Sequence, residues 1–259
     1  MKMLMKIIVN ADDLGISEPV NEAIFQGMQR GTITSATLLS NGPAVRAATQ
    51  QLHLFPKCSF GVHLNLTEFE PLCSGSHTDL ASILDENNCF NGNSIREVRI
   101  NVPMLGAVFR EWCSQIENLM RLGLEPSHLD AHHHVHTIPQ MLPVLGALRR
   151  RYKINKVRIS RNMYDDSERP GGLLLAKKRL FNSALRTVGF RTTRIFTDLG
   201  TFIKLCAARP PRPASVELMT HPGAAPRDAE ANLLEANLLE SDWPGRLSYE
   251  ATLVSYNDL

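Results

Sequence analysis

Residues 128–136 read His-Leu-Asp-Ala-His-His-His-Val-His, which places five of the chain's nine histidines and one aspartate in nine positions. Neutral imidazole is the side chain most often used to bind metal, and no other stretch of the 259 residues is so rich in such groups. The run is internal and is interrupted by Leu129, Ala131 and Val135, which argues against an engineered tag. Three smaller groups offer related chemistry: the pair Asp12-Asp13, His63 in Gly-Val-His-Leu-Asn-Leu, and His221 in Thr-His-Pro-Gly. Adjacent carboxylates on an extended chain point different ways, so one can hold a cation while the other serves as a base. Alternation along an extended cluster would put His132, His134 and His136 on one side and His133 on the other, so that two or three share a cation.

The elements that must position these residues follow from the hydrophobic pattern. Short apolar runs alternate with longer amphipathic segments, as in βα units around a parallel sheet. Strands are expected over 6–10, 34–39, 59–66, 128–131, 156–160, 193–196 and 216–220, with a strand-like end at 253–256. Helices are expected from a Ser17 cap to Gly31, over 44–54, over 95–122 with a break at Pro103, and over 139–152 and 173–188. Residues 67–93 and 162–172 read as loops. The tandem Ala-Asn-Leu-Leu-Glu at 231–235 and 236–240 is too short for a repeat architecture and fits one helical segment. Asp12-Asp13, His63, Asp130 with His132, and His221 all fall in or at the ends of expected strands. In a βα barrel those ends converge on one face, so distant parts of the sequence meet at one site. No linker divides the chain, and a single domain over 1–259 is expected.

Hydrophobic residues at 43% and charged residues at 21% are ordinary globular values. A net charge of +2, from scattered Lys and Arg, gives no electrostatic case for nucleic acid. No apolar run approaches the roughly 18–20 residues of a spanning helix, and the first residues lack a signal-peptide pattern, so a cytoplasmic enzyme is expected. Five cysteines without C-x-x-C spacing suggest neither a disulfide framework nor a thiolate zinc site. Two tryptophans and 6% aromatic residues weigh against a long stacked polysaccharide groove. The even surface composition is compatible with a homodimer.

Five segments, read in order, are Ile8-Val9-Asn10-Ala11-Asp12-Asp13-Leu14-Gly15, Thr34-Ser35-Ala36-Thr37 running to Asn41-Gly42-Pro43, Gly61-Val62-His63-Leu64-Asn65-Leu66-Thr67, the run from Pro126 to His136, and Thr220-His221-Pro222-Gly223. The series resembles the YdjC-like carbohydrate deacetylases, which include chitooligosaccharide deacetylases and deacetylase-like proteins associated with hopanoid biosynthesis. The resemblance implies an α/β fold, a distorted (β/α) barrel of the polysaccharide deacetylase type. It implies one divalent metal ion, Mg²⁺ or Zn²⁺, held by Asp13, His63 and His132, although the residues alone leave open which aspartate binds it. Asp12 would be the general base and His221 the general acid. Arg158 and Asn41 would bind substrate, with carboxylate orientation the other role open to Arg158. The implied substrate is an N-acetylated amino sugar, as a short oligosaccharide or a glycolipid head group. The rival readings are a phosphoesterase or cyclic-amide hydrolase using two or three metals and more of His133, His134 and His136, or a non-catalytic sugar-binding protein.

Overall fold

A computed structural model describes residues 5–73, 77–92, 94–208, 214–223, 239, 243 and 250–259. Its centre is a curled parallel sheet in the order β4-β3-β2-β1-β6-β5, made by β1 (Met5–Leu14), β2 (Ser35–Leu39), β3 (Ser59–Leu64), β4 (Leu129–Ala131), β5 (Ile195–Asp198) and β6 (Ser215–Thr220). β1 is buried at every position except Lys6, as a central parallel strand covered on both faces must be. It pairs with β6 from Lys6↔Ser215 to Ala11↔Thr220.

The expected strand at 156–160 is present only as single bridges, Leu129↔Val157 and Lys156↔Arg191. Arg158 N–H donates to Leu129 at 3.0 Å and Val157 N–H to Arg191 at 3.2 Å. Successive bonds thus go to opposite neighbours, and no ladder extends along either. The segment nevertheless closes the gap between β4 and β5, where Asn162 N–H donates to Phe196 O at 3.2 Å and its side chain accepts from Phe196 N–H at 2.9 Å. The result is a distorted barrel, with one contiguous core running through its staves and covering helices.

Helices α1 (Glu18–Gln29) and α6 (Gly172–Thr187) follow the apolar spacing closely. Ser17 caps α1 by accepting from Val20 N–H, and Gly31 ends the turn beyond it at φ 76°. Pro103 does not break a helix as expected. It lies in the first turn of α4 (Val102–Arg121), where a missing N–H costs nothing, and Asn101 caps that turn. The expected helix at 44–54 shortens to α2 (Val45–Thr49) and a 3₁₀ turn at Leu52–Leu54. The one at 139–152 divides into a 3₁₀ turn at Pro139–Met141 and α5 (Leu142–Tyr152). Within the expected 67–93 loop, His77–Leu80 forms the short α3. The pattern gave no sign of α7 (Leu199–Ala208).

Near its end the chain adds β7 (Ala251–Leu253), parallel to Met5–Ile7 of β1. A Ser255–Asp258 capping box then turns it into a 3₁₀ segment that buries Tyr256. The expected helix at 231–240 lies outside the described residues apart from Leu239. Among the described residues no helix is long and apolar enough to cross a membrane.

Candidate metal centre

The strand signal in Ile7–Ala11 continues through the aspartates, and backbone geometry separates their roles. Asn10 and Asp12, two apart, share a face, and Asn10 Nδ2 donates to Asp12 Oδ1 at 2.9 Å. Strict alternation would send Asp13 to the opposite face. Instead Asp13 takes a left-handed conformation, φ 67°, where the β1–β2 register shifts between Ala11 and Leu14. Its carboxylate consequently turns to the histidines of β3 and of the segment after β4.

Asp13 Oδ1 lies 3.1 Å from His63 Nε2 and 2.7 Å from His132 Nδ1, and those two nitrogens are 3.3 Å apart. Donor atoms at adjacent corners around a cation with bonds of about 2.1 Å are separated by roughly 3 Å, so this triangle has the size of a metal face. With a neutral His63, hydrogen bonding does not explain it. His63 Nδ1 is committed to Asp130 Oδ1 at 2.7 Å, which turns the Nε2 lone pair of the neutral ring toward a carboxylate oxygen that also accepts. Only a proton or a metal cation between these atoms relieves the opposition. Burial opposes charge on His63, but Asp130 and the hydrogen bonds from Asp13 and Asp130 outweigh it and push its pKa up to about 10. Burial likewise opposes charge on Asp13, yet His132 and His63 hold it well below the usual carboxylate range. The pocket is built to retain positive charge.

Behind the triangle is a fully buried ionic layer. Arg158 donates to both oxygens of Asp12 at 2.6 Å, to Glu217 Oε1 at 2.7 Å, and stands 2.9 Å from Asp130 Oδ2. Tyr256 O–H donates to the other Glu217 oxygen at 2.5 Å. Asp130 also accepts from Thr37 at 3.0 Å, which completes a carboxylate–histidine arrangement behind His63. Arg158 has no exposed surface, so carboxylate orientation, and not substrate contact, is the role its position allows. His221 stands at the rim, its side chain 36% exposed and its Nε2 3.9 Å from Asp12 Oδ2.

Asn41 is engaged by the loop after β3. Its amide donates to the carbonyls of Glu68 at 3.2 Å and Glu70 at 3.0 Å, and its oxygen accepts from Asn65 at 3.0 Å. It shapes the loop after β3. The histidine cluster also departs from strand alternation. Residues His132–Thr137 form a 3₁₀ segment in which His133 and His134 are left-handed, at φ 49° and 56°. His133 Nδ1 meets Thr67 Oγ1 at 3.0 Å, His134 lies edge-on to Phe196, and His136 Nε2 meets the Arg158 carbonyl at 3.2 Å. His132 alone of the three alternating histidines joins the triangle. Burial, the largest influence on each, keeps His134 well below its usual range and lowers His128 and His136 to about 3, leaving all three neutral.

Sequence reasoning overlooked Glu68, whose Oε1 is 3.4 Å from His132 Nε2. A signal was present, because Asn65 is an Asx-turn former two residues past His63 and its Oδ1 accepts from Thr67 and Glu68 N–H, turning the next acid toward the site. Glu217, a lone acid in an apolar run, and Tyr256, a tyrosine near the end of the sequence, gave none.

The family described as YdjC-like protein matches residues 6–247. A carbohydrate deacetylase from Geobacillus stearothermophilus is 39% identical over 149 residues, which span 57% of this chain and 57% of that protein. One from Oceanobacillus iheyensis is 30% identical over 229 residues, 88% of this chain and 90% of the relative. The crystal structure of an Enterococcus faecalis V583 protein named for cellobiose-phosphate cleavage superposes with a TM-score of 0.79 at 25% identity, over 98% of each chain. With the profile spanning nearly the whole sequence and the same fold recurring over the full length, the chain belongs to the YdjC-like protein family.

Proposed function

We propose that the protein is a metal-dependent hydrolase that removes the N-acetyl group from an amino-sugar substrate. The observation that supports this most is the meeting of Asp13, His63 and His132 beside a second carboxylate, Asp12, clamped by a buried arginine. The names of the relatives, carbohydrate deacetylases, agree with it. Asp13, His63 and His132 would hold one divalent cation. Two imidazoles and one carboxylate favour Zn²⁺ over Mg²⁺, which prefers an oxygen shell. When bound, the cation polarises the amide carbonyl and lowers the pKa of water at the site.

The chain's own groups divide the remaining work. Asp12 takes the proton of the attacking water, and the charge-assisted fork from Arg158 with the Asn10 amide keeps its carboxylate in one orientation. His221, at the rim and close to Asp12, protonates the departing amine, so that acetate and a free amino sugar leave. Arg158 and Asn41 act as positioning residues for Asp12 and for the loop after β3.

His134 and His136 are directed away from the triangle, which disfavours the two- or three-metal phosphoesterase and cyclic-amide hydrolase readings. The test is acetate release from N,N′-diacetylchitobiose, longer chitooligosaccharides and a glycolipid-like N-acetylglucosaminide, using wild-type protein and Asp12→Asn. Asp12→Asn is expected to keep its metal and lose activity by orders of magnitude. Equal rates for the two proteins would remove Asp12 as the base, and no release from any sugar by metal-loaded wild type would refute the deacetylase reading.

A further inference from the structure

The two ligand histidines are supported unequally. His63 gives Nε2 to the triangle and Nδ1 to Asp130 at 2.7 Å, in a contact closed to solvent. His132 gives Nδ1 to the triangle, while its buried Nε2 makes no hydrogen bond among the described residues. The acid beside it is Glu68, with Oε1 3.4 Å away, close enough for attraction but not aligned for a hydrogen bond.

The backbone that carries Glu68 is held tightly. Asn65 Oδ1 accepts from Thr67 N–H at 2.9 Å and Glu68 N–H at 3.2 Å, and Asn65 Nδ2 donates to Glu68 O at 2.6 Å. Asn41 adds its bond to the same carbonyl at 3.2 Å. The Glu68 side chain is 31% exposed, with a carboxylate oxygen already 3.4 Å from His132 Nε2. An anchored backbone, a carboxylate oxygen 3.4 Å away and a buried ring nitrogen lacking its hydrogen bond together form a contact that a shift of a few tenths of an ångström completes.

We infer that Glu68 is a positioning residue of the metal centre: with a cation in the triangle, its carboxylate closes on His132 Nε2–H, fixing the ring and strengthening Nδ1 as a donor. Both ligand histidines then have a carboxylate on the far ring nitrogen, Asp130 behind His63 and Glu68 behind His132. Such partners fix ring orientation and raise ligand basicity. The inference rests on the metal-binding part of the proposed function and not on the identity of the sugar. Its competitor is a second cation, since Glu68, His132 and His133 each bring a ligand atom within 4.8 Å of the others.

The test uses the full chain, stripped with a chelator and titrated with Zn²⁺ against a chromophoric competitor, with no substrate present. Glu68→Gln is expected to weaken Zn²⁺ binding by about 10- to 100-fold, with stoichiometry still one per chain. Glu70→Gln, on the same loop, should bind as wild type does. At saturating Zn²⁺ the Glu68→Gln turnover should return to within a few-fold of wild type, because the residue acts through the ligand. Should Glu68→Ala fail to fold, Glu68→Gln preserves shape and still answers. Unchanged affinity in Glu68→Gln would overturn the inference, as would a wild type that binds no Zn²⁺ or binds two equivalents with the second lost in the variant. Weakened binding in a protein that releases no acetate would leave the inference standing and remove the deacetylase reading.

Discussion

Loading the triangle with metal must expel protons, and their number follows from the geometry. In the metal-free protein, Asp130 and Asp13 more than offset the burial of His63 and raise its pKa to about 10, so at pH 7.5 this ring is almost wholly protonated. Burial also opposes charge on His132, but Asp13 and Glu68 raise its pKa above the ordinary value. Asp13 is held low and has no proton to give. A cation that takes the lone pairs of both rings therefore releases one proton from His63 and a further fraction from His132. Between one and two protons should leave per metal ion at pH 7.5. Each proton steepens the pH dependence of affinity by about tenfold per pH unit, so binding should tighten from pH 7 toward pH 10 and level off above the His63 value. Isothermal titration of stripped protein with Zn²⁺, in two buffers of different ionisation enthalpy, gives the count from the difference in heat. A count of zero, or an affinity flat from pH 7 to 9, would refute the charge-retaining pocket.

Stability should fall in mild acid for a separate reason. Burial lowers His128 and His136 to about 3, against 6.5 for a free ring, so the unfolded chain takes up their protons first as pH falls below 6.5 and stability is lost progressively toward pH 3. At 1.36 kcal/mol per unit and proton, each ring costs about 2 kcal/mol by pH 5. His63, raised to about 10, and Glu217, which burial raises to about 7, hold protons that the unfolded chain has largely given up at pH 7, so each gains stability as pH falls through this window and offsets part of the loss. Urea melts from pH 7 to 5 would show the decline, and a flat profile would contradict it. Arg158→Met should cost about 3–5 kcal/mol in the same melts at pH 7, because it strands Asp12, Asp130 and Glu217 in the core. Gly61→Ala places a Cβ 2.6 Å from the His128 ring, which stacks on Tyr256 at 3.6 Å, so a loss of about 1–3 kcal/mol is expected, and a neutral effect would show that the barrel floor yields.

Much of the site is legible in the sequence because its chemistry sits where periodicity ends. β1, β3 and β6 are mostly apolar runs buried at nearly every position, and Asp12, His63 and His221 stand in or just beyond them as residues such runs do not need. Hidden from the sequence were the backbone reversals. Asp13, His133 and His134 have positive φ without being glycine, so no residue type announces that Asp13 turns inward or that the histidine run curls into a 3₁₀ turn. For Arg158 and Asn41 the sequence points to the right region but does not name the partners. Pattern alone does not show that three carboxylates from β1, β4 and β6 surround one guanidinium, or that an asparagine after β2 spends its amide on backbone carbonyls from a loop more than twenty residues on. Segment 156–160 has strand composition, but its bonds to alternate neighbours deny it a ladder.

One cation, held by Asp13, His63 and His132, is proposed to enable amide hydrolysis on an amino sugar. The most direct test is to add Zn²⁺ stepwise to stripped protein and follow the rate of acetate release from the sugar that reacts best, with His63→Ala in parallel. The rate is expected to climb linearly to one equivalent per chain and then stay level, with no metal-restored activity in the variant. A break at two or three equivalents, or acetate release that ignores both the metal and His63, would contradict it.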